Sequence, residues 1–304
     1  MSKPYGIISD LHLFNWQAFS FVNENKLNNR LVGLLSELVR CGEEVIKAGG
    51  DTLYCAGDLF HVRGSITPSV LNPTRDAFRK LKDMGIAVRM IPGNHDLEGK
   101  DSDVVGSAVN LLSDDGIEVV HEPRYFQNNK VLMLPWYDNL DTLRANLAHC
   151  AACLKESRDE TNWDVIIHAP LNNVIVGLPD RGLSTEELLS YGFKRIFAGH
   201  YHNHKVLADN FAVTSVGALA HHSWSDVYSK AGFLIVSDND VRWMKSHLPE
   251  FVDITSDMSE ADAELAAEGN YVRAHIIDGK MTTVEKIRDW MTASGAKGVI
   301  IKTV

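Results

Sequence analysis

The sequence predicts an α/β protein: two sheets packed as a sandwich, helices on the outer faces, and a small β-α-β subdomain at the C-terminal end. Three observations carry this. From residue 5 to residue 91, short apolar runs alternate with stretches of helical spacing in the order β-α-β-α-β, the pattern of a sheet with helices on its faces. After residue 199, β runs follow one another with turn residues between them, so the sheet is expected to become antiparallel there. Near Phe251 the composition shifts, setting residues 1–250 apart as the main domain and residues 251–304 as the subdomain.

Taken in order, residues 5–9 form a short β run that ends at Asp10. Phe14, Trp16, Phe19 and Phe21 crowd the Asn-rich connection that follows. Packing onto the core is the commoner use of such aromatics; the alternative is that Phe14 or Trp16 stacks a nucleobase or walls a pocket. Residues 27–48 have helical spacing through Leu27, Leu31, Leu34, Leu35, Leu38 and Val45, and Gly49-Gly50 stops the helix. The apolar run 52–56 delivers Gly57-Asp58. Beyond the His61-Val62-Arg63-Gly64 loop, Asn72 as cap and Pro73 in the first turn predict a helix to Met84 with Gly85 at its exit. The run 87–91 leads into Gly93-Asn94-His95-Asp96.

A short helix near 105–112 and strands near 117–120 and 131–134 come next. Leu140, Leu143, Leu147, Cys150 and Leu154 then mark the apolar stripe of a helix. Residues 165–167 end at His168, and Ser184 with Glu187 makes a capping box for a short helix. Residues 195–198 lead into Gly199-His200-Tyr201-His202, and β runs are expected at 206–208, 211–216, 232–236 and 241–245. In the tail, Ser259 caps the acidic segment 257–268, residues 271–277 read as strand, Thr282 with Glu285 opens a helix through Met291, and 298–302 closes as strand.

With 304 residues and 45% hydrophobic content the chain has ample material for a core, and no run approaches the roughly eighteen apolar residues of a membrane span. The N-terminus shows no signal-peptide pattern, so a cytoplasmic protein with no membrane contact is expected. The Cys150-x-x-Cys153 pair lacks a second pair to complete a zinc tetrahedron and lies on a helix stripe, which makes Cys150 a buried thiol. The net charge of -10 opposes bulk electrostatic attraction to nucleic acid without excluding it as a substrate.

Five strand-like runs therefore end in Asp10-Leu11-His12, Gly57-Asp58, Gly93-Asn94-His95-Asp96, His168 and Gly199-His200-Tyr201-His202. Any one of these occurs by chance; the ordered set, each after an apolar run, is specific. Phosphodiester hydrolysis needs a nucleophile made from water, neutralised charge on the phosphoryl oxygens and a proton for the leaving alcohol. Two metal ions bridged by a carboxylate supply the first two, through a bridging hydroxide. Asp58 is the natural bridge; Asp10, His12 and His202 complete one site, and Asn94, His168 and His200 the other. Two residues apart on an extended segment, His200 and His202 project to the same side. His95 is the candidate general acid with Asp96 to orient it, and His61 is a second candidate for contacting the phosphate or leaving group. Phe14, Trp16 and Arg63 are candidates for binding substrate. The mixed N/O donors favour two Mn²⁺ ions, with Fe or Zn as alternatives. His121, His149, His204, His247 and His275 read as surface or structural, and His221 and His222 are left unassigned.

This pattern resembles the calcineurin-like metallophosphoesterase superfamily, and within it the SbcD-type DNA-repair nucleases. The finer resemblance rests on Ser9-Asp10-Leu11-His12-Leu13, on Gly57-Asp58-Leu59-Phe60-His61 with its extra His, and on the stretch from Gly217-Ala218-Leu219 through Ser223-Trp224-Ser225-Asp226 to Lys230-Ala231-Gly232-Phe233. The tail looks like a shortened capping domain. The resemblance implies a Mn²⁺-dependent DNA endonuclease and 3′ to 5′ exonuclease, a homodimer, and an SbcC-type coiled-coil ATPase partner. The chain departs from the family at Phe14, where glycine is usual, and in a tail without long heptads; its size and acidity suit a phage- or plasmid-borne relative. A small-molecule or cyclic-nucleotide phosphodiesterase would use the same core under a closed roof of Phe14, Trp16 or the tail. A non-catalytic scaffold of the same fold would show eroded ligands, and none is eroded.

Overall fold

Strands β1 (Tyr5–Ile8), β2 (Thr52–Cys55), β7 (Asp164–His168) and β8 (Arg195–Gly199) are buried at every residue, as parallel strands covered on both faces must be. The computed structural model describes residues 2–100, 106–157, 162–277 and 279–303. The first sheet adds β3 (Ala87–Met90), β4 (Ile117–Val119), β11 (Gly232–Val236) and β12 (Val241–Lys245) in the order β12-β11-β1-β2-β3-β4. In it β1 to β4 are parallel, while β11 and β12 run antiparallel, as the spacing of the later β runs predicts.

The second sheet adds β5 (Arg124–Phe126), β6 (Val131–Leu134), β9 (Lys205–Val206) and β10 (Val213–Ser215) in the order β5-β6-β7-β8-β10-β9. One expectation fails here: β10 pairs parallel to β8, because the intervening β9 folds back as an outer hairpin partner instead of lying between them.

Helices cover the outer faces. The first, α1 (Asn29–Lys47), is capped by Asn28, whose side chain accepts the amides of Arg30 and Leu31. The second, α2 (Pro68–Asp83), corrects the expected start at Asn72. Thr67 and Pro68 form the entry and Pro73 sits inside the helix, because Val70, Thr74, Ala77, Phe78 and Leu81 bury as one stripe that begins before Asn72. The Cys-bearing α3 (Leu140–Glu156) buries Leu143, Leu147, Cys150 and Leu154 as expected. Ser184 caps α4 (Thr185–Ser190), but the box is half made, since the Glu187 carboxylate takes Arg144 instead. The helix expected near 105–112 is a 3₁₀ segment, Ala108–Asp115; its first expected residue, Val105, lies outside the described residues.

The layers are separate apolar clusters: Leu31, Leu38 and Phe78 under the first pair of helices, Tyr5, Tyr54, Ile166 and Phe197 between the sheets, and Leu147, Trp163 and Leu188 beneath the second pair. A buried polar link crosses between sheets, where the Tyr5 hydroxyl donates to Asp164 at 2.6 Å and Arg195 grips the same carboxylate at 2.7 and 2.5 Å.

The tail holds β13 (Phe251–Ile254), α5 (Glu260–Ala267), β14 (Tyr271–Ile276), α6 (Met281–Ala293) and β15 (Gly298–Thr303), its strands all parallel and its apolar cluster its own. It is therefore β-α-β-α-β, one strand more than expected, because Phe251–Ile254 pairs along β14. The Thr282 and Glu285 box is not used; α6 starts from Lys280 without a side-chain cap. Phe19 stacks on Tyr271 at 4.9 Å, Trp224 meets Phe251 at 4.8 Å, and the Arg30 guanidinium lies 5.2 Å from the Phe251 ring, joining this layer to the main sheets. No helix among the described residues is long and apolar enough to cross a membrane.

Candidate metal centre

All five motifs leave the carboxyl ends of parallel strands β1, β2, β3, β7 and β8, where open α/β sheets gather their chemistry. Because the two sheets face each other, these ends meet. The His200 amide of the second sheet donates to the Asp10 carboxylate of the first at 3.2 and 3.0 Å. The turns that bring the side chains inward are tight. Asp10, His12, Asp58 and His200 all have positive φ, a conformation side chains other than glycine rarely adopt, and such strain collects at functional sites. Gly93 is required beside them: a Cβ there would collide with the Asp58 carboxylate and amide.

Asp10, His12 and His202 form one group whose donor atoms lie within 4.8 Å of one another, and Asp58, His168 and His200 form a second. Asp58 Oδ2 stands 3.7 Å from His12 Nε2 and 3.5 Å from His168 Nε2, between the two groups. Asn94 Oδ1 closes the second, 3.2 Å from His168 Nε2 and 2.9 Å from His200 Nδ1. The seven residues named from sequence as metal ligands therefore converge.

The donor chemistry fits divalent ions. His168 Nδ1 donates to the Ala56 carbonyl at 2.6 Å and His202 Nδ1 to the Asp226 carboxylate at 2.7 Å, which aims each Nε2 at the centre, as outer partners of metal-binding histidines do. Burial pushes His168 toward neutrality, but the adjacent Asp58 carboxylate overrides it and raises its pKa to about 9. Burial likewise acts to raise Asp58, and His168 outweighs it, holding Asp58 below the usual carboxylate range. The pair thus favours positive charge between these two side chains, which a divalent ion would supply in place of the proton. His200 is pushed down to about 3 by burial and by His168, so it is a neutral donor.

His95 lies at the rim. Its Nδ1 donates to the His61 carbonyl at 2.7 Å, its amide donates to Asp58 Oδ1 at 2.8 Å, and its ring is 4.8 Å from His12. The expectation that Asp96 orients His95 is corrected, since the orienting acceptor is the His61 backbone. Asp96 instead accepts the amides of Gly93, Leu59 and Phe60, and so braces the loop that carries Asp58. Burial and the Asp58 charge raise its pKa to about 7. The His61 ring stacks parallel to His95 at 5.7 Å.

Trp16 is 4.4 Å from His61 and stacks on His222 at 5.2 Å, while Phe14 is 5.3 Å from His61; both pack as a wall on the histidines. Arg63 is exposed in the loop beyond His61 and belongs to none of the donor groups.

Three residues escaped the sequence reading. Asp226 orients His202, His222 Nε2 donates to the Asp10 carbonyl at 2.9 Å, and Trp136 stacks on His200 at 5.3 Å. Of these only Asp226 carried a signal, the Ser223-Trp224-Ser225-Asp226 stretch noted for its resemblance.

The sequence matches the model of the calcineurin-like phosphoesterases over residues 3–204. No curated protein matches it. Among solved structures, a dimetal phosphatase from Danio rerio aligns with a TM-score of 0.50 and 12% identity, covering 81% of this chain and 97% of that one. A protein of Thermus thermophilus aligns with a TM-score of 0.47 at 12% identity, over 81% of this chain and 99% of that one. The nuclease MPE of Pseudomonas putida gives 0.35 at 15% identity, over 79% and 87%. From β1 to the last histidine of the centre, the chain belongs to the calcineurin-like phosphoesterase family, enzymes that hydrolyse phosphoesters with the help of metal ions.

Proposed function

We propose that this phosphoesterase is a nuclease that cuts DNA phosphodiesters with Mn²⁺. The observation that supports the reading is the open cleft beside the centre. A volume of ≈ 590 Å³ ends on His200 and His202, and its rim residues Val176 and Tyr228 are 92% and 84% exposed. Phe14 and Trp16 do not roof it; they pack against His61 and His222. A polymer can lie across such a cleft, whereas a small cyclic nucleotide calls for enclosure.

When bound, the two ions would supply an acidified water and charge neutralisation on the phosphoryl oxygens. Asp10, His12 and His202 would hold one ion, Asn94, His168 and His200 the other, with Asp58 shared. Mn²⁺ suits this mixed set of oxygen and imidazole donors, and Fe and Zn are the alternatives. The leaving sugar oxygen needs a proton. His95 is our candidate to give it: the Nδ1 bond to the His61 carbonyl holds its ring at the rim and leaves Nε2 as the atom that would meet substrate. His61, stacked on His95, is the second candidate for contacting the phosphate or the leaving group.

The test compares hydrolysis of single-stranded DNA, duplex DNA and a small aryl phosphodiester, with Mn²⁺ and with EDTA. DNA shortened only with Mn²⁺ supports the reading. His95→Ala is expected to lower kcat on DNA by about 10²- to 10⁴-fold with Mn²⁺ content unchanged. Cleavage confined to the aryl diester or to a cyclic nucleotide overturns the substrate assignment and leaves the metal centre standing.

A further inference from the structure

The cleft beside the centre has two unlike walls. One is the segment from Val174 to Val176; the other is the turn through Ser225, Asp226, Val227, Tyr228 and Ser229. At its base runs the segment from His200 to Asn203, with Lys205 beside it. Tyr228 presents an aromatic ring to water, 84% exposed, in contrast to its neighbour Trp224, which is engaged by Phe251 at 4.8 Å and by Arg273 at 4.7 Å. Phe21 is also exposed, at 64%, but it lines a different depression with Arg30 and Leu248.

Tyr228 is held in place by its backbone. Its φ is 69°, a left-handed value that is an outlier for a bulky side chain. The turn around it is fixed at both ends: the Ser229 amide donates to the Asp226 carbonyl at 2.8 Å, and the Lys230 amide donates to Asn203 at 3.1 Å. Asp226 is also the residue that orients His202, so one short turn sets both a candidate metal ligand and the exposed ring. Within the same cleft the Lys205 ammonium is tethered to the Asn173 carbonyl at 2.6 Å, a fixed positive charge of the kind that holds a phosphate.

We propose that Tyr228 is a stacking platform for an unpaired base, and that the cleft it walls holds the nucleotide next to the scissile phosphate with Lys205 on the adjoining backbone. This rests on the nuclease reading and deepens it. A base lying on Tyr228 must have left its complement, so the preferred substrate is single-stranded DNA or a frayed end. Aromatic platforms suit that task because every base offers a π face.

The experiment measures Mn²⁺-dependent cleavage of a single-stranded oligonucleotide and of an abasic oligonucleotide of equal length, which keeps the phosphates and lacks the bases. Tyr228→Ala is expected to raise KM for the first roughly tenfold with kcat little changed, and to leave the second unaffected; Tyr228→Phe should behave as wild type. Tyr228→Gly separates contact from architecture. It relieves the left-handed backbone, so its Tm should equal or exceed wild type while its KM rises as in Tyr228→Ala. Equal weakening on both oligonucleotides, or no change on either, overturns the proposal alone. A wild-type enzyme that hydrolyses the aryl diester but no oligonucleotide overturns the nuclease reading and this inference together.

Discussion

Asp226 shows how one side chain can govern the centre without being among its donors. Its Oδ1 takes the His202 Nδ1 proton at 2.7 Å, and its Oδ2 accepts the amides of His222 at 2.8 Å and Ser223 at 2.9 Å. Asp226→Ala frees the His202 ring to rotate and is expected to weaken divalent-metal binding by about 10- to 100-fold, read by titration calorimetry with Mn²⁺ as the probe ion. Asp10, His12, Asp58, Asn94 and His200 were legible because each lies in a short contiguous motif at the end of an apolar run. Asp226 stands 24 positions beyond His202, His222 acts through a backbone carbonyl, and Trp136 acts through a ring face. None of these relations exists until segments distant in the chain are brought together by the fold. Asp96 was misread for a related reason: adjacency in sequence suggested a partner for His95, while the tight turn points its carboxylate back at the amides of Gly93, Leu59 and Phe60.

At the scale of elements, buried strands and amphipathic helices were readable because periodicity reports burial directly. Their ends were less so, since start signals compete. Thr67-Pro68 and Asn72-Pro73 both open a helix on paper, and the stripe beginning at Val70 decides for the first. Strand β13 was missed because four residues, only two of them fully buried, make no pattern without β14 to pair with. The link between β1, β7 and β8 was invisible for the same reason. Asp164 and Arg195 are both buried, and the Tyr5 hydroxyl completes the carboxylate's partners across the sandwich. Asp164→Ala strands the Arg195 charge in the interior. It is expected to lower unfolding stability by about 3–5 kcal/mol in urea titrations, whereas replacing Asp164 and Arg195 together with apolar residues should recover much of the loss.

On the scale of the whole molecule, Arg30 joins the tail to the centre. From α1 its guanidinium donates to the carbonyls of Ala18, His221 and His222 at 3.2, 3.1 and 2.9 Å. Its face lies 5.4 Å from Trp16 and 5.5 Å from Tyr271. Arg30→Ala removes three hydrogen bonds at once, two of them buried. It should cost about 3 kcal/mol or more and weaken divalent-metal binding, because His222 and Trp16 lose their common support; thermal melts with and without Mn²⁺ as the probe ion read both effects. The strand order β12-β11-β1-β2 has a further consequence for how the protein is made. Strand β1 leaves the ribosome well before its antiparallel neighbour β11, which pairs Val236 with Tyr5 and Leu234 with Ile7. One edge of β1 must therefore wait, unpaired, while more than two hundred residues are synthesised, and the last histidines of the centre emerge shortly before that wait ends. The Asp10 turn likewise precedes His200 by 190 positions, so the full donor set exists only after His202 has been synthesised.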